Sequence, residues 1–305
     1  MLKYFLLATV LIFFPVLAHG QQNVDEDTRD LWDTAFLQKR PAGKNQAKRK
    51  QPVRYKIVGK KPSSPSLSNS AISKAAVIGV TIWRLRPAKN SDDEEVRQII
   101  HEEGDWTPER ISAGSPLAEG ARVRLTIESP RTGYLYVFNR EIYADKTFGE
   151  PYLIFPTLKL NSGENCVSAG RVIEIPSSGD KPPFYTLKRS SALHEGETLT
   201  VIVTDKPLTE LMIGRTALKI STEQFASYEK RWGALTEQFE LEGGTGAAMN
   251  KTEKAALNGN KTLKQTDSPP QTIYRILAKP NQPLLVTIPL SISAQVDEAD
   301  QKSQP

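Results

Sequence analysis

Residues 119–141 read EGARVRLTIESPRTGYLYVFNRE. Val123, Leu125 and Ile127 alternate with Arg122, Arg124, Thr126 and Glu128. A period of two puts the apolar set on one face of a strand and predicts a solvated face for the charged set. Ser129, Pro130 and Gly133 carry turn chemistry, Pro fixing one φ and Gly free to take a positive one. In the return strand Tyr134, Tyr136 and Phe138 alternate with Leu135 and Val137, so both faces carry bulk and both should be covered. The pattern predicts a central hairpin with Leu125, Ile127, Leu135 and Val137 in its core.

Other stretches have the same period. Residues 77–86 (VIGVTIWRLR) are β-branched and closed by Pro87; residues 152–155, 172–175 and, more weakly, 184–188 follow. In residues 197–204, Leu199, Val201 and Val203 oppose Thr198, Thr200 and Ile202. Short strands between Pro, Gly and Ser turns predict a mainly β protein, an antiparallel sandwich or barrel, and an immunoglobulin-like antiparallel β-sandwich over residues 75–220 is the expectation carried forward. Residues 91–103, with Val96, Ile99 and Ile100 at helical spacing, predict a short exposed helix. The period changes at Ser221, with Gln224 in capping-box position. Phe225, Tyr228, Trp232, Leu235 and Phe239 form one aromatic stripe of an amphipathic helix, which Gly243, Gly244 and Gly246 should end as a C-cap and linker. Residues 247–270 are polar and expected to be loose. Residues 272–278 and 284–292 predict a last hairpin, so that residues 221–293 add a helix and a closing hairpin to the same domain.

The ends read differently. A positive start and the apolar run of residues 4–17 precede Ala18, His19 and Gly20, a signal-peptide pattern with cleavage between Gly20 and Gln21. That run is shorter than the roughly 20 residues a spanning helix needs, so an exported, periplasmic or secreted protein is expected. Residues 21–74 read as a disordered linker, acidic and then basic, and residues 294–305 as a disordered tail. Leu31, Trp32, Phe36 and Leu37 give the acidic part a short amphipathic pattern, readable as a docking peptide or a frayed tail. Between Lys39 and Lys61 there are ten Lys/Arg and no acid. Such a tract is a solvated tether able to hold an anionic surface, and export argues against nucleic acid as its partner. The whole chain carries only +5, so everything outside the tract is net acidic.

Composition narrows the chemistry. Cys166 is the only cysteine, which excludes an internal disulfide and thiolate metal sites. Of three histidines, His19 lies in the signal, leaving His101 and His194, too few for a His-rich metal centre. No cofactor is expected. Ser190, Ser191, His194 and Asp205 are near one another in sequence, without a nucleophile-elbow G-x-S-x-G. Asp145, Glu150 and Glu174 could form a carboxylate pair or bind calcium, although Asp145 also suits a turn. Tyr134, Tyr136, Tyr143 and Tyr152 could stack on sugars or peptides or simply fill the core. Tyr134, Tyr136, Tyr143 and Asp145 are the candidate ligand-facing residues.

PLAEGARVRLTIESPRTGYLYVFNRE and EPYLIFPT, then AGRVIEIPSSG (169–179), PPF (182–184) and TLTVIVTDKPL (198–208), resemble the bacterial family called domain of unknown function 4384 over about residues 76–210. GYLYV at residues 133–137 is its specific part. The resemblance implies a β-sandwich module appended to signalling or envelope proteins, with no assigned catalytic residue. The expectation is a non-catalytic binding module of a cell-envelope assembly, with a protein or envelope-polymer partner. The alternative is an extracytoplasmic hydrolase of peptides or glycans.

Overall fold

A computed structural model describes residues 39–42, 53–59, 75–100, 104–259, 262–279 and 281–293. The expected signal peptide with its Gly20–Gln21 cut, the acidic segment and the tail beyond residue 293 lie outside these residues. Among the described residues no helix is long and apolar enough to cross a membrane.

The chain is mainly β. In order it forms β1 (Tyr55–Val58), β2 (Ala76–Pro87), β3 (Gln98–Ile100), β4 (Gly104–Ile111), β5 (Leu117–Ala118), β6 (Arg122–Glu128), β7 (Gly133–Tyr143) and β8 (Tyr152–Phe155). β9 (Cys166–Val167), β10 (Val172–Ile175), β11 (Tyr185–Thr186), β12 (His194–Thr204) and β13 (Leu218–Lys219) follow. Helix α1 (Thr222–Trp232), β14 (Thr236–Leu241), helix α2 (Lys251–Leu257), β15 (Thr272–Ile276) and β16 (Leu284–Ser293) complete it. One sheet runs β1-β14-β15-β2-β4-β3, with β6 also on β2 and β10 and β11 on β6. The other runs β13-β8-β7-β12-β16-β5, with β9 on β7. All pairings are antiparallel except β16 with β5. A single apolar cluster joins Ile78, Val80, Ile82, Leu125 and Ile127 of the first sheet to Leu135, Val137, Leu199, Val201 and Ile288 of the second.

The two expected hairpins are corrected. β6 pairs with β2, β10 and β11, whereas β7 pairs with β12, β8 and β9. β15 likewise belongs to the first sheet and β16 to the second. Each turn is therefore a crossing between sheets. Arg131 ties the two crossings together, its Nη2 donating to the carbonyls of Gln282 (2.6 Å) and Val203 (3.1 Å). Gly133 is needed because a Cβ there would run into the Thr204 carbonyl oxygen. Alternation marks which side chains share a face; it carries no information about which sheet a strand joins.

Helix α1 is shorter than its stripe predicts. It stops at Trp232 before Gly233, Leu235 is left exposed, and Phe239 sits on β14 in a separate cluster with Tyr55, Val77 and Ile273. Ser221 accepts from the Gln224 backbone amide at 3.1 Å, one half of the expected capping box, while the Gln224 side chain donates instead to the Tyr228 hydroxyl at 3.0 Å. The helix covers the second sheet's outer face, with Phe225 edge-on to Phe138 at 5.6 Å. The glycines after Leu241 follow a strand, not a helix. Residues 91–100 hold a 3-10 turn (Glu94–Val96) and β3 in place of an exposed helix. The stretch expected to be loose contains α2, with an Asn250–Glu253 capping box.

The polar face of β6 is also corrected. Arg124, Thr126 and Glu128 are buried beneath α2 and the chain that follows it. Among the described residues four ion pairs have both partners buried: Arg40–Glu128, Arg110–Glu253, Arg124–Glu174 and Arg275–Glu237. Burial lowers the Arg124 pKa and raises that of Glu174, so desolvation outweighs their mutual attraction. The basic tract is not wholly linker: Arg40 is 2 % exposed and β1 extends the first sheet along β14.

Candidate functional site

β7 and β12 run antiparallel with Val137 opposite Val201 and Glu141 opposite Glu197; His194 opposes Tyr143 past a register shift. Leu135, Val137, Leu199 and Val201 point into the core. The same alternation then carries Asn139, Glu141, Tyr143 and Glu197 onto that inner face where the sheet reaches its end. The core is closed there by a polar cluster.

His194 is fully buried at its centre. Its Nδ1 lies 3.0 Å from the Ser190 amide, which can only donate, so Nδ1 is the acceptor. Nε2 lies 2.7 Å from the Gly196 carbonyl oxygen, which can only accept, so Nε2 carries the proton. Ser190 Oγ donates to Glu141 Oε2 at 2.9 Å and stands 3.4 Å from Nδ1. The Tyr143 hydroxyl also donates to Glu141 Oε2, at 2.5 Å, which raises the Tyr143 pKa. Asn139 donates to Glu197 Oε2 at 2.8 Å. Burial raises the Glu197 pKa, against that hydrogen bond.

The geometry brings Ser190 and His194 together but orders them against nucleophilic catalysis. A Ser-His relay needs the nitrogen opposite the serine to hold its proton on an acidic partner. Here that nitrogen holds its proton on a backbone carbonyl, and Ser190 spends its own proton on Glu141. Asp205 is elsewhere, beside Arg131 at 3.5 Å, and Ser191 is exposed. Cys166 lies opposite Tyr134 at the other end of β7, roughly 30 Å along the strand from His194. His101 is outside the described residues.

The carboxylates proposed to act together are apart. Asp145 accepts from the Thr147 amide (2.9 Å) and hydroxyl (2.6 Å), a local turn that lowers its pKa. Glu150 pairs with Lys219 at 3.3 Å, and Glu174 is buried on the first sheet. No group of three or more His, Cys, Asp or Glu able to hold a metal exists among the described residues. Tyr136 is corrected as a ligand-facing residue: it is 3 % exposed and its hydroxyl accepts from the Leu208 amide at 2.8 Å. Tyr134 packs half-buried against the cluster that Tyr136 forms with Phe138, Phe225 and Tyr228 beneath α1. Tyr143 and Asp145 do share a surface, the turn of residues 143–149.

Sequence reasoning missed what completes that surface. The Ala144 amide donates to Leu193 O at 2.8 Å, and Lys146 pairs with Glu195 at 2.7 Å, joining the turn to the loop of residues 188–195. Phe148 (50 % exposed) and Leu193 (64 %) project from the joined loops, with Arg140 over the Phe148 ring at 4.6 Å. The polar continuation of the inner face could have marked Glu141 and Glu197; nothing local marks Phe148 or Leu193. The cavity beneath α2, lined by Trp83, Arg110, Thr126 and Glu128, is about 30 Å³, room for one or two waters, whereas an open polar cleft of about 510 Å³ lies at the start of α2 between Asp92, Asp93, Lys251 and Asp267. Comparison with protein-family models, curated proteins and solved structures finds no match.

Proposed function

We propose that this chain is an exported, non-catalytic binding module of a bacterial cell-envelope assembly, docking a protein or envelope polymer through the joined loops of residues 143–149 and 188–195. The proposal includes an antiparallel sandwich of immunoglobulin-like type, for which the core shared by the two sheets is the support, and membership of the domain-4384 family, supported by the runs at residues 116–208. The carrying observation is the His194 geometry. Both ring nitrogens are committed to backbone groups, so the most enzyme-like constellation in the chain holds a loop in place. The loop it holds presents Leu193 and the turn joined to it presents Phe148, exposed apolar side chains at one end of a sheet, the arrangement by which sandwich ends bind partners. Replacing both apolar tips (Phe148→Ser with Leu193→Ser) should weaken binding to isolated envelope material at least roughly tenfold while thermal stability stays within about 1 kcal/mol. Retained binding would remove the assignment of these loops.

A further inference from the structure

The outer face of the first sheet carries a second site, independent of the loops just described. Ile127 faces the shared core, so its neighbour Glu128 faces outward, where the Arg40 side chain, 1 % exposed, meets it. Arg40 Nε donates to Glu128 Oε1 at 2.8 Å and Nη2 to Oε2 at 2.6 Å. Nη1 points at the carbonyl oxygens of Ser268 (3.1 Å), Asp267 (3.4 Å) and Lys264 (3.5 Å). The backbone beside Arg40 is held too. The Gln265 amide donates to Pro41 O at 3.2 Å and the Gln265 side chain to Arg40 O at 3.3 Å. Gly170, at φ +75°, forms the floor; a Cβ there would come within 2.6 Å of Lys39 O.

Every element of a peptide site is therefore on the domain: a carboxylate fork, a row of carbonyls, a backbone clamp and a floor open only to glycine. The occupant is a short segment outside any strand or helix, 88 residues from its carboxylate partner. We propose that this is a binding socket for a short arginine-bearing peptide, which the chain fills in cis with its own Lys39, Arg40, Pro41 and Ala42. Two parallel N–H···O bonds select the planar guanidinium over an ammonium. A side-chain pocket joined to backbone hydrogen bonds is the general form of peptide recognition. Being tethered, the chain's own segment outcompetes a free one, so the socket accepts a second peptide only once Arg40 is removed.

The test uses full-length protein and a fluorescent, end-blocked peptide of residues 36–46, followed by anisotropy. The Arg40→Ala chain should bind the peptide, and the wild-type chain should take up far less. Adding Glu128→Gln to the Arg40→Ala chain, or replacing the arginine of the peptide by alanine, should weaken binding roughly 30-fold or more. Should Arg40→Ala fail to fold, Arg40→Lys keeps the charge beside Glu128 without the fork, and its peptide uptake should still exceed wild type. The proposal is overturned if the folded variant binds no more peptide than wild type, or if peptides with and without the arginine bind equally.

Discussion

Glu240 accepts hydrogen bonds from Thr272 (2.8 Å), Gln238 (3.1 Å), Gln271 (3.2 Å) and the Ala113 amide (3.2 Å), all uncharged donors, in a buried position. Desolvation raises its pKa above the ordinary 4.5, and burial does the same to Glu174 and Glu197. The folded chain then keeps protons at pH values where the unfolded chain has lost them, so these groups favour folding as pH falls toward 4.5. Asp92 acts in the opposite sense. Its hydrogen bond and ion pair with Arg86 hold its pKa below the ordinary 3.8, a stabilisation present above that value and lost as pH falls through the region below it. Thermal unfolding of wild type should therefore show a component of Tm that rises from neutral pH toward about pH 5 and is reduced in Glu240→Gln. Equal pH slopes for the two proteins would refute that role. At Leu135, fully buried between the sheets, truncation to alanine should cost about 2–5 kcal/mol in denaturant unfolding. Its burial, with that of Leu125, Ile127 and Val137, was legible from alternation alone. The burial of Arg124 and Glu128 was not, because a charged side chain enters the interior only when distant residues supply its partner.

At the scale of elements, α2 shows how far local pattern reaches. Its 7 residues cannot hold a helix alone, and its stability comes from its cap and its packing. Glu253 serves both: Oε2 accepts from the Asn250 amide at 2.9 Å, and Oε1 pairs with buried Arg110. Asn250→Ala should cost about 1 kcal/mol through the lost cap, measured by chemical unfolding. Glu253→Gln should cost more, since it leaves the Arg110 guanidinium without its counter-ion. The sequence does contain the N-x-x-E signature at Asn250, but the polar surroundings hide it, because this helix buries ion pairs rather than an apolar stripe. The converse error occurs after Trp232, where aromatic spacing continues although the helix does not. Leu235 and Phe239 keep the helical interval by coincidence, and Gly233 is the local signal that stops it.

Over the whole molecule, two sheets enclose one apolar core, and a polar layer with four ion pairs covers part of the first sheet's outer face. Buried pairs add little net stability but penalise any arrangement that separates them. The basic stretch changes meaning in this frame: Arg40 is spent inside the fold, and the remaining charges of residues 39–61 are those left to meet an anionic surface. If they do so, retention on anionic vesicles should fall steeply with salt, since screening acts over about 8–10 Å near physiological ionic strength. Retention indifferent to salt would refute the tether. The class of fold could be read from periodicity, and the loops that form the candidate site could not, because the turn after β7 and the loop before β12 are joined, through Ala144 with Leu193 and Lys146 with Glu195, only when the two strands pair. Docking through the joined loops is tested most directly by co-sedimentation of full-length protein with isolated envelope material, comparing wild type, Ser190→Ala and the Phe148→Ser/Leu193→Ser double variant. In salt that screens the basic stretch, Ser190→Ala should sediment like wild type and the double variant should stay in solution. Undiminished sedimentation of the double variant would contradict that docking.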